Sequence, residues 1–306
     1  MNMNTKTVLL AGATGDLGGL IANAILDKPG VTLRALVRPG SREKAAALAK
    51  RGAEIVEIAL DDPSQSEALA HAARGAFSVV SALQGGPDII IDAQLRLLEA
   101  ARRSEVRRVV PSDFSFNIFG IADGENLGSD LRRAFARQAD DIRGAVEIVH
   151  IFNGCFLDRR VLFGFLGAID LTSRKAFLWG DGNAPMDFTS YEDTARYTAA
   201  VATESDALPR DFNVAGDVLD FHQLVRAYEE ASRNKLTVVR LGSLADLDSE
   251  ISRRQQAEPA NMFAWMPLMY WRAMLSGKAK LGALSNARYP DIRPLTVREF
   301  VERESI

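Results

Sequence analysis

The chain has 306 residues, 47% of them apolar and 25% charged, which is the balance of a globular protein with a buried core. Its formal net charge of −3 offers no positive surface for a polyanion, so we expect no nucleic acid as a partner. Residues 259–271 form an apolar stretch shorter than the ~20 residues of a membrane span, so we expect no membrane partner either.

The first half of the sequence alternates β-rich runs with segments of helical periodicity, as parallel strands joined by crossover helices do. The predicted strands cover residues 7–11, 32–37, 54–60, 77–83, 106–110 and 146–152. The first predicted helix begins near Asp16, the second has Ser41 as its N-cap, and the third covers residues 88–103. This pattern predicts an α/β fold with a Rossmann-type, doubly wound parallel sheet.

Beyond about residue 155 the alternation loosens, and no Pro-rich or Ser-rich linker separates the two halves. We therefore expect a smaller α+β substrate lobe, interleaved with the first domain. We assign residues 1–156, completed by 188–216, to an NAD(P)-binding domain, and residues 157–187 and 217–306 to the substrate lobe. The sequence is compatible with a monomer and with a homodimer.

Two features indicate a cytoplasmic protein. The amino terminus enters the apolar run 8–11 without the basic segment and cleavage site of a secretory signal. Cys155 is the single cysteine, which excludes an internal disulfide and a thiolate metal cluster and is typical of a reduced compartment. We expect Cys155 to be a packed side chain and not a nucleophile.

The glycine-rich run 12–18 lies between the first predicted strand and the first predicted helix. Gly12 permits a tight turn, Gly15 lets the backbone approach a pyrophosphate, and Gly18 allows close packing of helix and strand. The free N–H groups at the start of the helix would face the phosphates. The residues predicted to bind a dinucleotide here are Gly12, Thr14, Gly15, Asp16, Leu17 and Gly18.

The end of the second predicted strand indicates which dinucleotide binds. Sites that prefer NAD place Asp or Glu there, whereas this chain has Arg38, followed by Ser41 and Lys44. Arginine can bind a ribose 2′-phosphate with two hydrogen bonds, and lysine adds a point charge. We therefore predict that the cofactor is NADP(H).

The usual short-chain dehydrogenase pair Tyr-x-x-x-Lys is absent, because none of the five tyrosines has Lys four residues later. The three histidines share no metal-ligand spacing, so we predict no metal site and expect core or surface roles for them. Ligands of open α/β sheets bind at the carboxyl ends of the strands. The cofactor contacts predicted there are Ser81, Ala82, Gln84, Pro111, Ser112, Asn153 and Phe156, and Asp113 is a candidate for the chemistry.

Several motifs, in their order along the chain, resemble one family. They are GATGDLG at 12–18, Arg38, PSDF at 111–114, NGCF at 153–156, YEDTA at 191–195 and YPDI at 289–292. Together they resemble the isoflavone-reductase-like branch of the NmrA-like, atypical short-chain dehydrogenases, over nearly the whole chain. The resemblance implies an NADPH-dependent reductase of an aromatic, phenylpropanoid-like or conjugated small molecule. The alternative is an NmrA-type redox sensor, which binds the dinucleotide without turning it over.

One position departs from the family pattern. The family's catalytic lysine lies on the helix before the sixth strand, where this chain has Arg133, with Arg132 as the alternative alignment. An arginine cannot give up a proton near neutral pH, but its fixed donors can stabilise an oxyanion. We therefore predict that Arg133 is an electrostatic stabiliser, and that the proton comes from water, Asp113 or a group of the substrate.

The segment 262–271 combines four aromatic residues with three methionines and would suit an adaptable, apolar pocket for a flat ligand. Core packing or a dimer interface would explain the same composition. The residues predicted to contact the substrate are Phe114, Phe163, Phe263, Met266 and Tyr270.

Overall fold

The computed structural model describes residues 5–306, and the chain divides into two compact units. The first unit comprises residues 5–114, 131–151 and 194–212, and the second comprises 115–130, 152–193 and 213–306. Each unit is therefore assembled from three separate stretches of the chain.

Short strands and helices make up both units. In chain order, the strands are β1 (Lys6–Ala11), β2 (Val31–Val37), β3 (Glu54–Glu57), β4 (Ala76–Ser81), β5 (Arg108–Val110), β6 (Glu147–Ile148), β7 (His150–Phe152), β8 (Cys155–Leu157), β9 (Ile169–Asp170), β10 (Lys175–Trp179), β11 (Met186–Ser190), β12 (Asp211–Asn213), β13 (Asp217–Leu219) and β14 (Thr237–Gly242). The α-helices are α1 (Asp16–Leu26), α2 (Ala46–Lys50), α3 (Ser66–Ala73), α4 (Gln94–Arg103), α5 (Leu127–Ile142), α6 (Tyr191–Thr203), α7 (Phe221–Ser232), α8 (Leu244–Ala257), α9 (Met266–Leu275) and α10 (Val297–Glu304).

The first unit contains a six-stranded sheet in the order β3-β2-β1-β4-β5-β6, and its strands pair in parallel. This is the strand order of the classic dinucleotide-binding fold, so the predicted Rossmann-type sheet is confirmed. Residues 8–11 of β1 are completely buried, because strands in the middle of a parallel sheet are covered on both faces. The order reverses between β1 and β4, which places a crevice at their carboxyl ends.

The prediction of one strand over residues 146–152 was wrong. The structure has two short strands there, because the chain changes its pairing partner at Val149. The N–H of Val149 still donates to the carbonyl of Val109 in β5, whereas the N–H of His150 donates to the carbonyl of Arg210, just before β12. The helix predicted over residues 88–103 is present as a π-helical turn, Asp88–Ala93, that continues into α4.

The second unit contains two three-stranded sheets, β14-β10-β9 and β13-β11-β8, around a core of its own. Its helices α7, α8 and α10 are preceded by the N-cap residues Asp220, Ser243 and Thr296. Each of these three side chains accepts a hydrogen bond from the backbone N–H of the third residue of its helix, and the side chain of that third residue accepts one from the backbone N–H of the cap residue. Across residues 5–306, the helices are too short or too polar to cross a membrane.

Candidate functional site

The turn between β1 and α1 can be built only with glycine at two positions. Gly12 has φ of +88°, and a Cβ there would lie 2.6 Å from the carbonyl oxygen of Ala82. A Cβ on Gly18 would overlap the carbonyl oxygen of Gly12. Gly15 stands at the N-cap of α1 and supplies no side-chain cap for the first N–H groups of the helix. A helix start of this kind fits an anion, because unsatisfied N–H donors and the positive end of the helix dipole face outward.

Two cations at and just after the end of β2, Arg38 and Lys44, are exposed to solvent. Pro39 and Gly40 form a turn closed by the N–H of Ser41 and the carbonyl of Arg38, 2.9 Å apart, with Gly40 at φ of +74°. Within residues 5–306 the exposed Arg38 and Lys44 side chains have no hydrogen-bond or ion-pair partner. These two charges can therefore bind an anion without breaking an existing contact.

Arg42, between these residues, is bound differently. Its guanidinium donates to the carbonyl of Ile55 at 3.1 Å and lies 4.0 Å from the carboxylate of Glu57. Arg42 therefore ties the turn to β3, in keeping with its absence from the predicted phosphate site.

The loop after β5 is joined to the loop after β4. The Ser112 hydroxyl donates to the carbonyl of Leu83 at 2.7 Å, and the Ser112 N–H donates to Oε1 of the buried Gln94 at 2.7 Å. Pro111 is also buried, whereas Gln84 is exposed. Ser81, at the end of β4, has a buried hydroxyl without a hydrogen-bond partner among the described residues. The predicted contacts of these loops thus lie together at the carboxyl edge of the sheet.

Asp113 is paired with His150, for which the sequence predicts a core or surface role. Oδ2 of Asp113 lies 2.6 Å from Nδ1 of His150, and both side chains are buried. Oδ1 of Asp113 has no hydrogen-bond partner among residues 5–306. The sequence signal that could have indicated this pair is the position of its members, because Asp113 and His150 both follow the carboxyl ends of adjacent strands, β5 and β6.

The two candidate arginines of α5 have different surroundings. Nε of Arg132 donates to the backbone carbonyls of Ser112 and Asp113, at 3.1 and 3.0 Å. Arg132 therefore fastens the loop after β5 to the helix. Arg133 is buried, with 6% of its surface exposed, and points in another direction because successive helical residues are turned by about 100°.

In the second unit, Asn153 is held by its backbone. Its N–H donates to the carbonyl of Ser115 at 2.9 Å, and its carbonyl accepts from the Thr189 hydroxyl at 2.6 Å. Gly154 follows at φ of +69°, pressed against the backbone of Asp187. The buried side-chain amide of Asn153 has no partner for either Oδ1 or Nδ2 within the described chain. Such an amide has full capacity for a ligand or a water molecule.

One cleft of the second unit takes in Phe263 alone of the residues predicted to contact the substrate. This cleft, of about 390 Å³, is lined in part by Phe263, which is 80% exposed, and does not include Phe163, Met266 or Tyr270. Tyr270 makes an edge contact with Phe116, with ring centres 5.6 Å apart, and Phe163 packs against Tyr228. These last contacts belong to the core of the unit.

Three further residues singled out in the sequence are buried or stacked. Phe114, in the first unit, is buried and has φ of +31°, which is strained for an aromatic residue. Phe156 stacks on Tyr191, with ring centres 4.2 Å apart. Burial raises the pKa of Cys155 to about 12, which confirms the expected packed role.

Residues 5–306 contain no cluster of three or more His, Cys, Asp or Glu side chains that could hold a metal ion.

Comparison with known proteins confirms the resemblance found in the motifs. Residues 4–127 match the NmrA-like family. A bifunctional pinoresinol-lariciresinol reductase of Linum usitatissimum is 28% identical over 255 residues, which cover 79% of this chain and 80% of that protein.

Solved structures extend the likeness to nearly the whole chain. AtPrR2 with NADP+ and (+)pinoresinol has a TM-score of 0.79 at 23% identity, covering 98% of each chain. The complex of leucoanthocyanidin reductase with NADPH from Vitis vinifera has a TM-score of 0.78 at 20% identity, covering 98% of this chain and 99% of that one. At these identities the structures establish the fold.

Proposed function

We propose that this chain, whose residues 4–127 match the NmrA-like family, is an NADPH-dependent reductase of an aromatic or otherwise conjugated small molecule. The observation that carries the proposal is the glycine turn of β1 and α1 together with two cations, Arg38 and Lys44, whose side chains have no partner among residues 5–306. The related reductase of Linum usitatissimum and the NADP+ complex with (+)pinoresinol support the same reaction class.

The residues present fit this cofactor. The backbone around Gly12, Thr14, Gly15, Asp16, Leu17 and Gly18 would hold the pyrophosphate, because a side chain at Gly12 or Gly18 would collide with the backbone. Arg38, Ser41 and Lys44 would bind the 2′-phosphate. The remaining contacts we propose for the cofactor are Ser81, Ala82, Gln84, Pro111, Ser112, Asn153 and Phe156. When bound, NADPH would supply a hydride.

Arg133 and Asp113 are the residues we propose for the chemistry. Negative charge develops on the substrate when a hydride is added to it, and the guanidinium of Arg133 would stabilise that charge with fixed donors. Asp113 would meet a polar group of the substrate from the loop after β5. Phe114, Phe163, Phe263, Met266 and Tyr270 stay our candidates for apolar contacts with the ligand.

The test is oxidation of NADPH by the purified protein, followed by absorbance, with a panel of aromatic ketones, enones and benzylic ethers. We expect oxidation that depends on at least one of these compounds. We also expect Arg133→Met to lower turnover by about 100-fold while NADPH affinity stays within about twofold. Arg143→Met is the matched control, because Arg143 is exposed beyond the end of α5, where its guanidinium lies 3.8 Å from the carboxylate of Asp140.

Unchanged absorbance across the whole panel, with NADPH bound, would contradict the reductase. The alternative, a sensor that binds the dinucleotide without turnover, would then replace it. Full activity of Arg133→Met would remove Arg133 from the site and leave the reaction class standing.

A further inference from the structure

The Asp113–His150 pair is a buried polar pair that the proposed cofactor contacts do not use. Asp113 is 1% exposed and His150 is completely buried, and Oδ2 and Nδ1 are 2.6 Å apart. A carboxylate has only acceptors, so the ring nitrogen that faces it carries the hydrogen. One oxygen of Asp113 is thereby committed to His150 and its orientation is fixed.

The backbone of the loop after β5 is also held in place by hydrogen bonds. Nε of Arg132 donates to the carbonyls of Ser112 and Asp113. The N–H and the hydroxyl of Ser112 both donate hydrogen bonds within the first unit. Phe114 follows in a left-handed conformation, at φ of +31°. A strained residue persists only where its surroundings fix it, and such strain collects at ligand sites. The loop after β5 is therefore rigid around the carboxylate.

The second oxygen of Asp113 lacks a donor within the described part of the chain. Oδ1 is buried and has no hydrogen-bond partner among residues 5–306. A buried charged oxygen without a donor is costly, and its cost is removed when a ligand provides an O–H or N–H. Asp113 stands at the end of β5, one strand beyond the β1–β4 crevice in which a dinucleotide binds. That position favours a substrate group over the cofactor as the donor.

We propose that His150 is a positioning residue, which fixes Asp113 so that Oδ1 accepts a hydrogen bond from a hydroxyl group of the substrate. The inference rests on the proposed function and deepens it, because it selects hydroxyl-bearing aromatic substrates. His150 acts through Asp113 and does not itself touch the substrate.

The experiment compares two probes that differ at one group, para-hydroxychalcone and para-methoxychalcone. Their affinities for the NADP+-loaded protein are measured by calorimetry. The wild-type protein should prefer the hydroxyl compound by about tenfold or more, because methylation removes the donor. His150→Leu should abolish the preference. His150→Asn should restore most of it, because the asparagine Nδ2 stands at the same bond from Cγ as the histidine Nδ1.

Structural damage is separated from loss of positioning by controls. Affinity for NADPH should stay within about twofold in both variants, and His150→Gln replaces His150→Leu if the latter does not fold, since its amide nitrogen lies one bond farther out. A loss of NADPH affinity of about tenfold in His150→Leu would assign Oδ1 to the cofactor and overturn the proposal. Equal wild-type affinities for the two probes, or no binding of either, would also overturn it.

The calorimetric test of His150 does not depend on whether the protein oxidises NADPH. A hydroxyl preference that His150→Leu removes, in a protein that oxidises no NADPH, would sustain the positioning role and contradict the reductase. Oxidation of NADPH without a hydroxyl preference would do the reverse.

Discussion

Single atoms decide whether the turn at the start of α1 can form. Gly18 and Gly19 are neighbours on the same helix, but a Cβ on Gly18 would overlap the carbonyl oxygen of Gly12, whereas a Cβ on Gly19 would lie 3.6 Å from that of Ala13. The first distance is prohibited and the second is ordinary van der Waals contact. The two glycines therefore make a matched pair.

We expect Gly18→Ala to destabilise the protein by about 2–4 kcal/mol, because the backbone of the turn must move. Gly19→Ala should be neutral or stabilising by up to about 1 kcal/mol, because alanine favours a helix. Urea unfolding of both variants measures the difference. Equal free energies of unfolding for the two variants would contradict the packing described for Gly18.

The buried thiol of Cys155 should make the free energy of unfolding depend on pH in the alkaline range. Burial raises the pKa of its thiol from 9.0 to about 12, so the unfolded chain loses this proton at a lower pH than the folded one. The stability that this group contributes is present below pH 9 and is lost as the pH rises toward 12.

Relative to Cys155→Ala, the wild-type protein should therefore lose about 1.4 kcal/mol of unfolding free energy per pH unit above pH 9. Other titrating groups are common to both proteins and cancel in the difference. Parallel stability curves for the two proteins between pH 8 and pH 11, measured with denaturant at about half-unit steps, would show that the thiol is not buried as described.

The sequence predicts the roles of the glycines in the turn between β1 and α1, but not the partner of Asp113. The roles of Gly12 and Gly18 follow from their spacing, because a strand–turn–helix of this kind has few solutions. The pairing of Asp113 with His150 joins residues 37 positions apart. It depends on β5 lying next to β6 and on the chain leaving the sheet at Val149, and neither fact is local to the two residues.

Among the elements, β5 is fastened to its neighbours by a completely buried arginine. Arg108 donates to both the carboxylate of Glu147 in β6, at 2.6 Å, and the carbonyls of Val201, Glu204 and Asp206, at 2.7–2.8 Å. These carbonyls belong to the last turn of α6 and the segment after it. One side chain thus satisfies the end of a helix and holds it against the sheet.

Arg108→Met should cost about 3–5 kcal/mol, because it leaves a partly buried carboxylate and three carbonyls without their donor. Arg107→Met is the matched control, since Arg107 binds the same Glu147 at 3.2 Å but is 40% exposed. Its loss should cost less than about 1 kcal/mol. Thermal unfolding of the two variants measures the contrast, and similar losses in both would refute a special role for the buried residue.

Elements of the parallel sheet were predictable, because buried strands and amphipathic helices leave different periodicities. The division of residues 146–152 into β6 and β7 was not predictable, because no Gly or Pro interrupts this run and its two pieces differ in the strand they pair with.

For the molecule as a whole, the parallel, doubly wound sheet of the first unit could be predicted from the alternation of strands and helices. The sheets of the second unit could not. Its β10 pairs in parallel with β14, about sixty residues later, and antiparallel with the adjacent β9. No local pattern specifies which distant strand supplies the partner, so the sequence predicts a second lobe but not its topology.

A ligand that binds the folded chain and not the unfolded chain stabilises the whole protein against unfolding. NADPH at a free concentration of a hundred times its Kd should stabilise the protein by about 2.7 kcal/mol, and the same concentration of NADH should stabilise it far less.

Arg38→Ala should weaken NADPH binding by about 100-fold, because the 2′-phosphate loses a bidentate partner. The stabilisation would then fall to about 0.4 kcal/mol. Arg42→Ala should keep nearly all of it, because Arg42 is engaged by β3. The midpoint of thermal unfolding, with and without each dinucleotide, measures these differences, and equal shifts by NADPH and NADH in the wild-type protein would contradict the site described at Arg38.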